Sequence, residues 1–243
     1  MRVLDLFSGI GGFSLGLERS GMETVAFCEV DARARKVLKK HWPEVPIYED
    51  VQILTGDRLR ADGIIPDVIV GGFPCQDISL AGYGAGLEGE RSGLWWHFHR
   101  LIKEIKPKWV IIENVSALRH RGLDQVLRSL FEIGYDAEWH CIPASAIGAP
   151  HRRDRIWIVA YPIGEGLQGI ERLWQTRTQE QPERYLAECG GWGSEPAVGR
   201  VAHGVPNRMD RLKQLGNSVV PQIPEMIGKK ILEFEKLMVD MVD

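Results

Sequence analysis

Short apolar runs alternate with helical patterns along residues 1–161, and this alternation is the strongest constraint on the fold. The first run leads through a glycine cluster into a helical pattern, which predicts a strand, a tight turn and a helix. Strands are predicted at Met1–Phe7, Glu23–Val30, Asp67–Gly71, Trp109–Glu113 and Arg155–Tyr161. Long helices are predicted at Ala32–His41, Gly93–Ile105 and Leu123–Ile133. This alternation predicts βαβ units in a mostly parallel sheet.

The alternation stops after Tyr161. Residues 162–207 are rich in Gly, Gln, Arg, Glu and Trp and have no clear period, whereas helical periodicity returns at Gln222–Leu237. That pattern predicts a closing helix that packs back on the sheet. We therefore expect a discontinuous main domain, 1–161 and 208–243, interrupted by a small irregular lobe.

Charge and composition exclude several classes of protein. A net charge of −3 and an isoelectric point near 6.2 exclude a polycation that coats nucleic acid, so any nucleic-acid site is a local patch. No apolar run approaches the roughly 20 residues that cross a bilayer. Because the first apolar run contains the acid Asp5 and no small-residue cleavage site follows, we expect no signal peptide.

Cysteine spacing gives no sign of a metal site or of a disulfide framework. The cysteines are far apart, with no Cys-x-x-Cys pair and no histidine at zinc-finger spacing: Cys28, Cys75, Cys141 and Cys189. Reduced thiols are typical of a cytosol-like compartment, so we expect a cytoplasmic protein.

The glycine cluster Gly9-Ile10-Gly11-Gly12 follows the first strand, where doubly wound sheets bind nucleotides. Ser14 stands where a dinucleotide fingerprint has its third glycine, which disfavours a pyrophosphate ligand. Glu29 ends the second strand, where a carboxylate can accept hydrogen bonds from both ribose hydroxyls. The cluster indicates either an adenosine-type cofactor without a pyrophosphate or merely a tight turn.

Three further segments carry reactive side chains near predicted strand ends. Cys75 follows a strand and precedes a glycine-rich loop, so it is either a nucleophile beneath a lid or a small buried apolar residue. Glu113 ends the next strand, where it could act as an acid or cap a helix. The arginines of His151–Arg155 could hold a polar ligand through forked donors or form a solvated charge run.

Together these segments resemble the cytosine-C5 DNA methyltransferase family. The resemblance rests on an ordered set of motifs and covers residues 1–161 and 208–235. The motifs are Asp5-Leu6-Phe7-Ser8-Gly9-Ile10-Gly11-Gly12, Glu29-Val30-Asp31, Asp50-Val51, Phe73-Pro74-Cys75-Gln76, Glu113-Asn114-Val115, Arg153-Asp154-Arg155 and Gln214-Leu215-Gly216-Asn217-Ser218-Val219.

The resemblance implies an α/β, Rossmann-like S-adenosylmethionine-dependent methyltransferase fold, with helices on both faces of the sheet and a small target-recognition lobe. It implies that Cys75 attacks cytosine carbon 6 and that Glu113 protonates or hydrogen-bonds N3. Arg153 and Arg155 would hold the base O2 and support the thiolate and the carboxylate. No metal is needed.

S-adenosylmethionine is the cofactor that the resemblance implies. Glu29 would bind its ribose and Asp50 its adenine amino group. The other cofactor residues implied are Phe7, Gly9, Ile10, Gly11, Val30, Val51, Pro74, Leu94, Asn217 and Ser218.

Double-stranded DNA is the implied substrate, with the target cytosine flipped out of the stack while the loop at Ser79–Arg91 closes over it. Residues 162–207 would read the sequence through their arginines, with Trp174 and Trp192 either as anchors or as the lobe's own small core. This segment is short for the family and similar to compact phage and prophage forms. We expect a monomer, and a cognate restriction endonuclease is a possible partner.

The sequence departs from the family pattern at His151, where the family usually has Gln. Two other functions remain open: an RNA cytosine-C5 methyltransferase that acts on transfer RNA, and a catalytically silent DNA-binding protein. Methyl transfer to DNA, to RNA or to neither distinguishes the three.

Overall fold

The computed structural model describes residues 1–74, 93–164 and 215–240. Its strands are β1 Arg2–Leu6, β2 Glu23–Cys28, β3 Ile47–Tyr48, β4 Val68–Gly71, β5 Trp109–Val115, β6 Tyr135–Pro143 and β7 Asp154–Pro162. Its α-helices are α1 Gly12–Ser20, α2 Ala32–His41, α3 Gly56–Ala61, α4 Leu94–Ile105, α5 Leu118–Arg121, α6 Leu123–Glu132 and α7 Gln222–Asp240. A 3-10 helix spans Ala144–Ile147. In these ranges no helix is both long and apolar enough to cross a membrane.

The strands form one sheet in the order β3-β2-β1-β4-β5-β7-β6. The first five are parallel neighbours, and β7 runs antiparallel between β5 and β6. The predicted mostly parallel α/β sheet is therefore confirmed. The strands and long helices given bounds from the sequence are present with ends that differ by no more than three residues, whereas β3, β6, α3 and α5 were not predicted.

One edge of the sheet collects the residues of interest. The parallel strands all end at this edge, which we call the carboxyl edge. Because β7 is antiparallel to β5, its first residues lie at the same edge, with Arg155 paired to Val115. Loops from several strands meet there, as in other open α/β sheets that bind ligands.

Apolar side chains form a core on each face of the sheet. Along β1, Leu4 and Leu6 face one core and Val3 faces the other, as strand alternation requires. The first core packs against α3, α4 and α6. The second packs against α1 and α7, so helices cover both faces and the closing helix packs on the sheet as its periodicity predicts.

Helices α1 and α7 approach each other closely because small residues line their contact. A Cβ atom on Gly16 would clash with the Pro221 carbonyl oxygen and lie 2.8 Å from Pro224 Cγ. A Cβ atom on Gly228 would clash with Ser20 Oγ. Any larger side chain at these glycines must separate the helices, since the first obstacle at Gly16 is backbone.

Gly16→Ala is expected to lower the free energy of unfolding by about 1–3 kcal/mol, because the added methyl group has no space against the Pro221 backbone. Chemical denaturation measures the change. Leu15→Ala is the matched control, because Leu15 is exposed on the same helix. Equal stability of Gly16→Ala and wild type would contradict this packing.

Candidate active site

Glu113 and Arg155 form an ion pair at the carboxyl edge. Glu113 lies near the end of β5 and Arg155 near the start of β7, and Arg155 Nε is 2.9 Å from Glu113 Oε1. The Glu113 side chain is 12% exposed and that of Arg155 22% exposed. The antiparallel strand pair thus brings together two residues that the sequence assigned to one site.

The carboxyl of Glu113 is enclosed and ionises reluctantly. Burial raises its pKa above the ordinary value, and the positive charges of Arg155 and Arg153 offset part of that rise. A Cβ atom on Gly72 would lie 2.9 Å from Glu113 Oε2, so the glycine leaves the space that the carboxyl occupies. A carboxyl with a raised pKa can hold a proton for a bound base.

Asn114 fixes the segment that follows β4. Its Nδ2 donates to the Phe73 carbonyl oxygen at 3.2 Å, and its Oδ1 accepts from the Val115 N–H at 2.8 Å. Pro74 is the last described residue of this segment. Cys75 and the predicted lid at Ser79–Arg91 lie outside the described residues, so the role of this thiol stays a prediction.

Arg153 has a different set of contacts from Arg155. Its Nη1 donates to the Gly216 carbonyl oxygen at 2.8 Å, and its Nη2 donates to the Ser218 carbonyl oxygen at 2.7 Å. Its backbone has a φ of 36°, which is rare for a residue other than glycine. The neighbouring His151 is exposed.

The glycine loop after β1 is tied to the end of β2 through Glu29. Gly9 N–H donates to Glu29 Oε2 at 2.7 Å, and Asp31 N–H donates to Glu29 Oε1 at 2.7 Å. Each oxygen keeps a further lone pair that could accept from a ligand hydroxyl. Among the described residues, no heavy atom lies within 4 Å of the position that a Cβ atom on Gly9 would take, so this part of the chain leaves space beside the loop.

The remaining predicted cofactor residues also lie at this edge, and most stand in loops. Asp50 Oδ1 accepts from the Gln52 N–H at 2.9 Å, and the Val51 side chain is buried. Val30 is 75% exposed, and Asn217 is also exposed. The cofactor residues that follow strands or start helices are Phe7, Ile10, Gly11, Val30, Asp50, Val51, Pro74 and Leu94, whereas Asn217 and Ser218 lie in the segment that precedes α7.

Asp5 is a buried acid that sequence reasoning did not assign to the site. Its Oδ2 accepts from Ser14 Oγ at 2.8 Å, and its carbonyl oxygen accepts from Ser8 Oγ at 2.6 Å. Within the described part of the chain, Oδ1 has no hydrogen-bond partner. Burial raises the pKa of Asp5 to about 7, although hydrogen bonds from Ser14 lower it. The sequence feature that could have identified Asp5 is its position as an acid inside an otherwise apolar strand.

The fold is that of a Rossmann-like methyltransferase, and comparison with known proteins identifies the family. Residues 1–189 match the family described as C-5 cytosine-specific DNA methylase. This match covers more than half of the chain, and the chain belongs to that family.

Relatives and a solved structure agree with this membership. The chain is 39% identical over 170 residues to the type II methyltransferase M2.BsuMI of Bacillus subtilis, covering 66% of this chain and 42% of the relative. It is 29% identical over 237 residues to the type II methyltransferase M.NgoFVII of Neisseria gonorrhoeae, and this match covers 92% of this chain and 60% of the relative. A DNA modification methyltransferase encoded within an Escherichia coli prophage superposes with a TM-score of 0.58 at 28% identity, and the superposition covers 67% of this chain and 47% of that protein. The chain thus spans about half the length of the proteins that it matches.

Asp5→Asn is expected to change how stability depends on pH. The folded protein keeps the Asp5 proton up to a pKa of about 7, whereas the unfolded chain releases it near 3.8, so Asp5 lowers wild-type stability as pH rises between these values. The free energy of unfolding of the variant minus that of wild type should therefore increase by up to about 4 kcal/mol across this range and level off above it.

Urea denaturation at several pH values measures this difference. Asp57→Asn is the control, because it neutralises a carboxyl that is 92% exposed, where charge contributes little to stability. A constant difference for Asp5→Asn would show that Asp5 is ionised throughout.

Proposed function

We propose that this chain is a DNA (cytosine-5-)-methyltransferase that transfers a methyl group from S-adenosylmethionine to carbon 5 of a flipped-out cytosine in a specific DNA sequence. The observation that carries the proposal is the enclosed Glu113–Arg155 pair beside Gly72, three residues before Cys75. Family membership supports the same chemistry.

Cys75 supplies the nucleophile in this proposal. Its thiolate adds to cytosine carbon 6, which makes carbon 5 enamine-like and able to attack an electrophilic methyl group. When bound, S-adenosylmethionine would supply that methyl group, and the electron pair of the broken sulfur–carbon bond would stay on sulfur in S-adenosylhomocysteine. Carbon 5 then gives up its proton to water, and the thiolate of Cys75 leaves as the ring double bond re-forms.

Glu113 assists the addition by protonating or hydrogen-bonding cytosine N3. Its raised pKa supports this task, because a carboxyl that holds its proton more tightly than usual is better suited to share that proton with the ring. Arg155 holds the carboxyl in place through Nε and retains other donors for the base O2. Both side chains are mostly buried, which strengthens these charge interactions.

The residues at the glycine loop fit an adenosine-type methyl donor. Glu29 presents a nearly buried carboxylate whose oxygens are oriented by two backbone N–H groups and can accept from ribose hydroxyls. The described residues leave space at Gly9 beside that carboxylate. The absence of a third fingerprint glycine at Ser14 favours a ligand without a pyrophosphate.

The sequence around the ion pair favours a nucleic-acid substrate. Residues 114–123 follow Glu113 and residues 139–153 precede Arg155, and neither segment contains an aspartate or glutamate. Their basic side chains, apart from His140, whose pKa is lowered by burial, are Arg119, His120, Arg121, His151, Arg152 and Arg153, and the exposed acid Asp154 follows the last of them. A chain with a net charge of −3 therefore carries a local excess of basic residues beside its candidate active site, where phosphates would lie.

Other parts of the proposal rest on the sequence alone. Target recognition by residues 162–207 is assigned to a segment that lies almost entirely outside the described residues. The domain boundaries, the monomeric state, the cytoplasmic location and a restriction endonuclease partner stay predictions.

Cys75→Ser is expected to abolish methyl transfer, because a serine hydroxyl has far too high a pKa to add to the ring. Transfer of tritium from labelled S-adenosylmethionine to duplex DNA and to transfer RNA measures activity and substrate together. Cys141→Ser, which changes an exposed cysteine on β6, is the control and should remain active. Label in transfer RNA alone would show that the chain is an RNA methyltransferase. Label in neither nucleic acid would indicate a catalytically silent DNA-binding protein.

A duplex with 5-fluorocytosine at the target tests the covalent step directly. Fluorine cannot leave carbon 5 as a proton does, so wild type should form a stable adduct with DNA, and peptide mapping should find it at Cys75. An adduct at another cysteine would overturn the assignment of the nucleophile.

Arg119→Gln is expected to reduce the salt dependence of DNA binding. Arg119 is an exposed residue of α5 beside the carboxyl edge, and loss of one phosphate contact lowers the slope of log K against log salt by about 0.9. Binding titrations at several salt concentrations measure the slope. Arg128→Gln, on the exposed face of α6, is the matched control. Equal slopes for both variants would place the phosphates elsewhere.

A further inference from the structure

We propose that Arg153 is a positioning residue that holds the Gly216–Ser218 segment against the glycine loop for cofactor binding, and that Arg155 alone faces the target base. This inference rests on the proposed function and assigns different tasks to two arginines that the motif groups together. Arg153 acts through the backbone of another segment, to which both of its terminal nitrogens donate, and its charge also lowers the pKa of Glu113.

The contacts of Arg153 are specific to a distant segment of chain. Both terminal nitrogens donate to backbone carbonyls, at 2.8 Å to Gly216 and 2.7 Å to Ser218, residues that are 63 and 65 positions away. The forked guanidinium matches two carbonyls of one turn, which a lysine ammonium cannot do equally well. A backbone φ of 36° at Arg153 costs conformational energy, so surrounding contacts must hold it.

The held segment lies directly on the first turn of α1. A Cβ atom on Gly12 would be 2.7 Å from the Val219 carbonyl oxygen and 2.9 Å from Ser218 Oγ. Gly12 continues the loop in which Gly9 N–H donates to Glu29 Oε2. The position of Ser218 is therefore mechanically linked to the loop that borders the proposed ribose site.

The other end of this network reaches the candidate base site. Arg155 is two residues beyond Arg153, and its Nε pairs with Glu113 Oε1 at 2.9 Å. One short stretch of chain thus supports the cofactor side through Arg153 and the carboxyl of Glu113 through Arg155. Contiguous contacts of this kind predict that loss of Arg153 changes cofactor affinity more than the chemical step.

Arg153→Met tests this division of tasks. Calorimetry of the free protein with S-adenosylmethionine should show a dissociation constant raised by about 10-fold, since two hydrogen bonds from a charged donor are lost. In steady-state assays the KM for S-adenosylmethionine should rise similarly, with kcat reduced by less than about 3-fold. Arg155→Met should instead lower kcat by about 100-fold or more with little change in cofactor affinity.

Two further variants keep the test decisive. Arg153→Lys keeps the charge and a single donor nitrogen, so it should restore part of the affinity, and it also covers the case in which the methionine variant folds poorly. Arg128→Met changes an exposed arginine of α6, which contributes to neither proposed site, and should bind S-adenosylmethionine as wild type does.

The outcomes separate this inference from the proposed function. Wild-type cofactor affinity in Arg153→Met together with a kcat as low as that of Arg155→Met would overturn the inference and place Arg153 on the base. A wild-type protein that binds no S-adenosylmethionine would overturn the proposed function and this inference with it.

Discussion

The antiparallel pairing of β7 with β5 is the constraint on which the candidate site depends. In a purely parallel sheet, the carboxyl end of β5 would lie beside the carboxyl end of its neighbouring strand. Here it lies beside the first residues of β7, because β7 runs antiparallel to β5. Arg155 is thereby fixed beside Glu113 on regular structure, with Arg153 just outside the strand. Side chains mounted on strands are held more precisely than those on loops, which suits a proton donor whose distance to a base matters.

Much of this fold could be predicted because the buried strands are apolar and the long helices are periodic. β6 was missed because Asp136, Glu138 and His140 interrupt its apolar residues, and as an edge strand it has a neighbour on one side only. β3 has two residues and α3 has six, which is too short for a period to emerge. These elements are determined by tertiary contacts and not by local pattern.

In the candidate site, too, some features could be predicted from local sequence pattern and others depend on tertiary contacts. Glu113 and Arg155 could be predicted because both stand at ends of recognisable strands. The contacts of Arg153 could not, because its acceptors are backbone carbonyls, which leave no trace in side-chain identity. Asp5 was visible as an acid among apolar residues, but its buried partner Ser14 lies on the following helix and required the fold to be known.

The glycine contacts between α1 and α7 also determine the register in which these two helices pack. Ser20 fits against Gly228, and a slip of α7 by one helical turn would present Leu232 to the same place. The side chain of leucine cannot enter a space that excludes a single methyl group, so neighbouring registers are blocked. Two chain segments far apart in sequence therefore dock in a single position, which fixes the start of α1 and with it the glycine loop that precedes this helix.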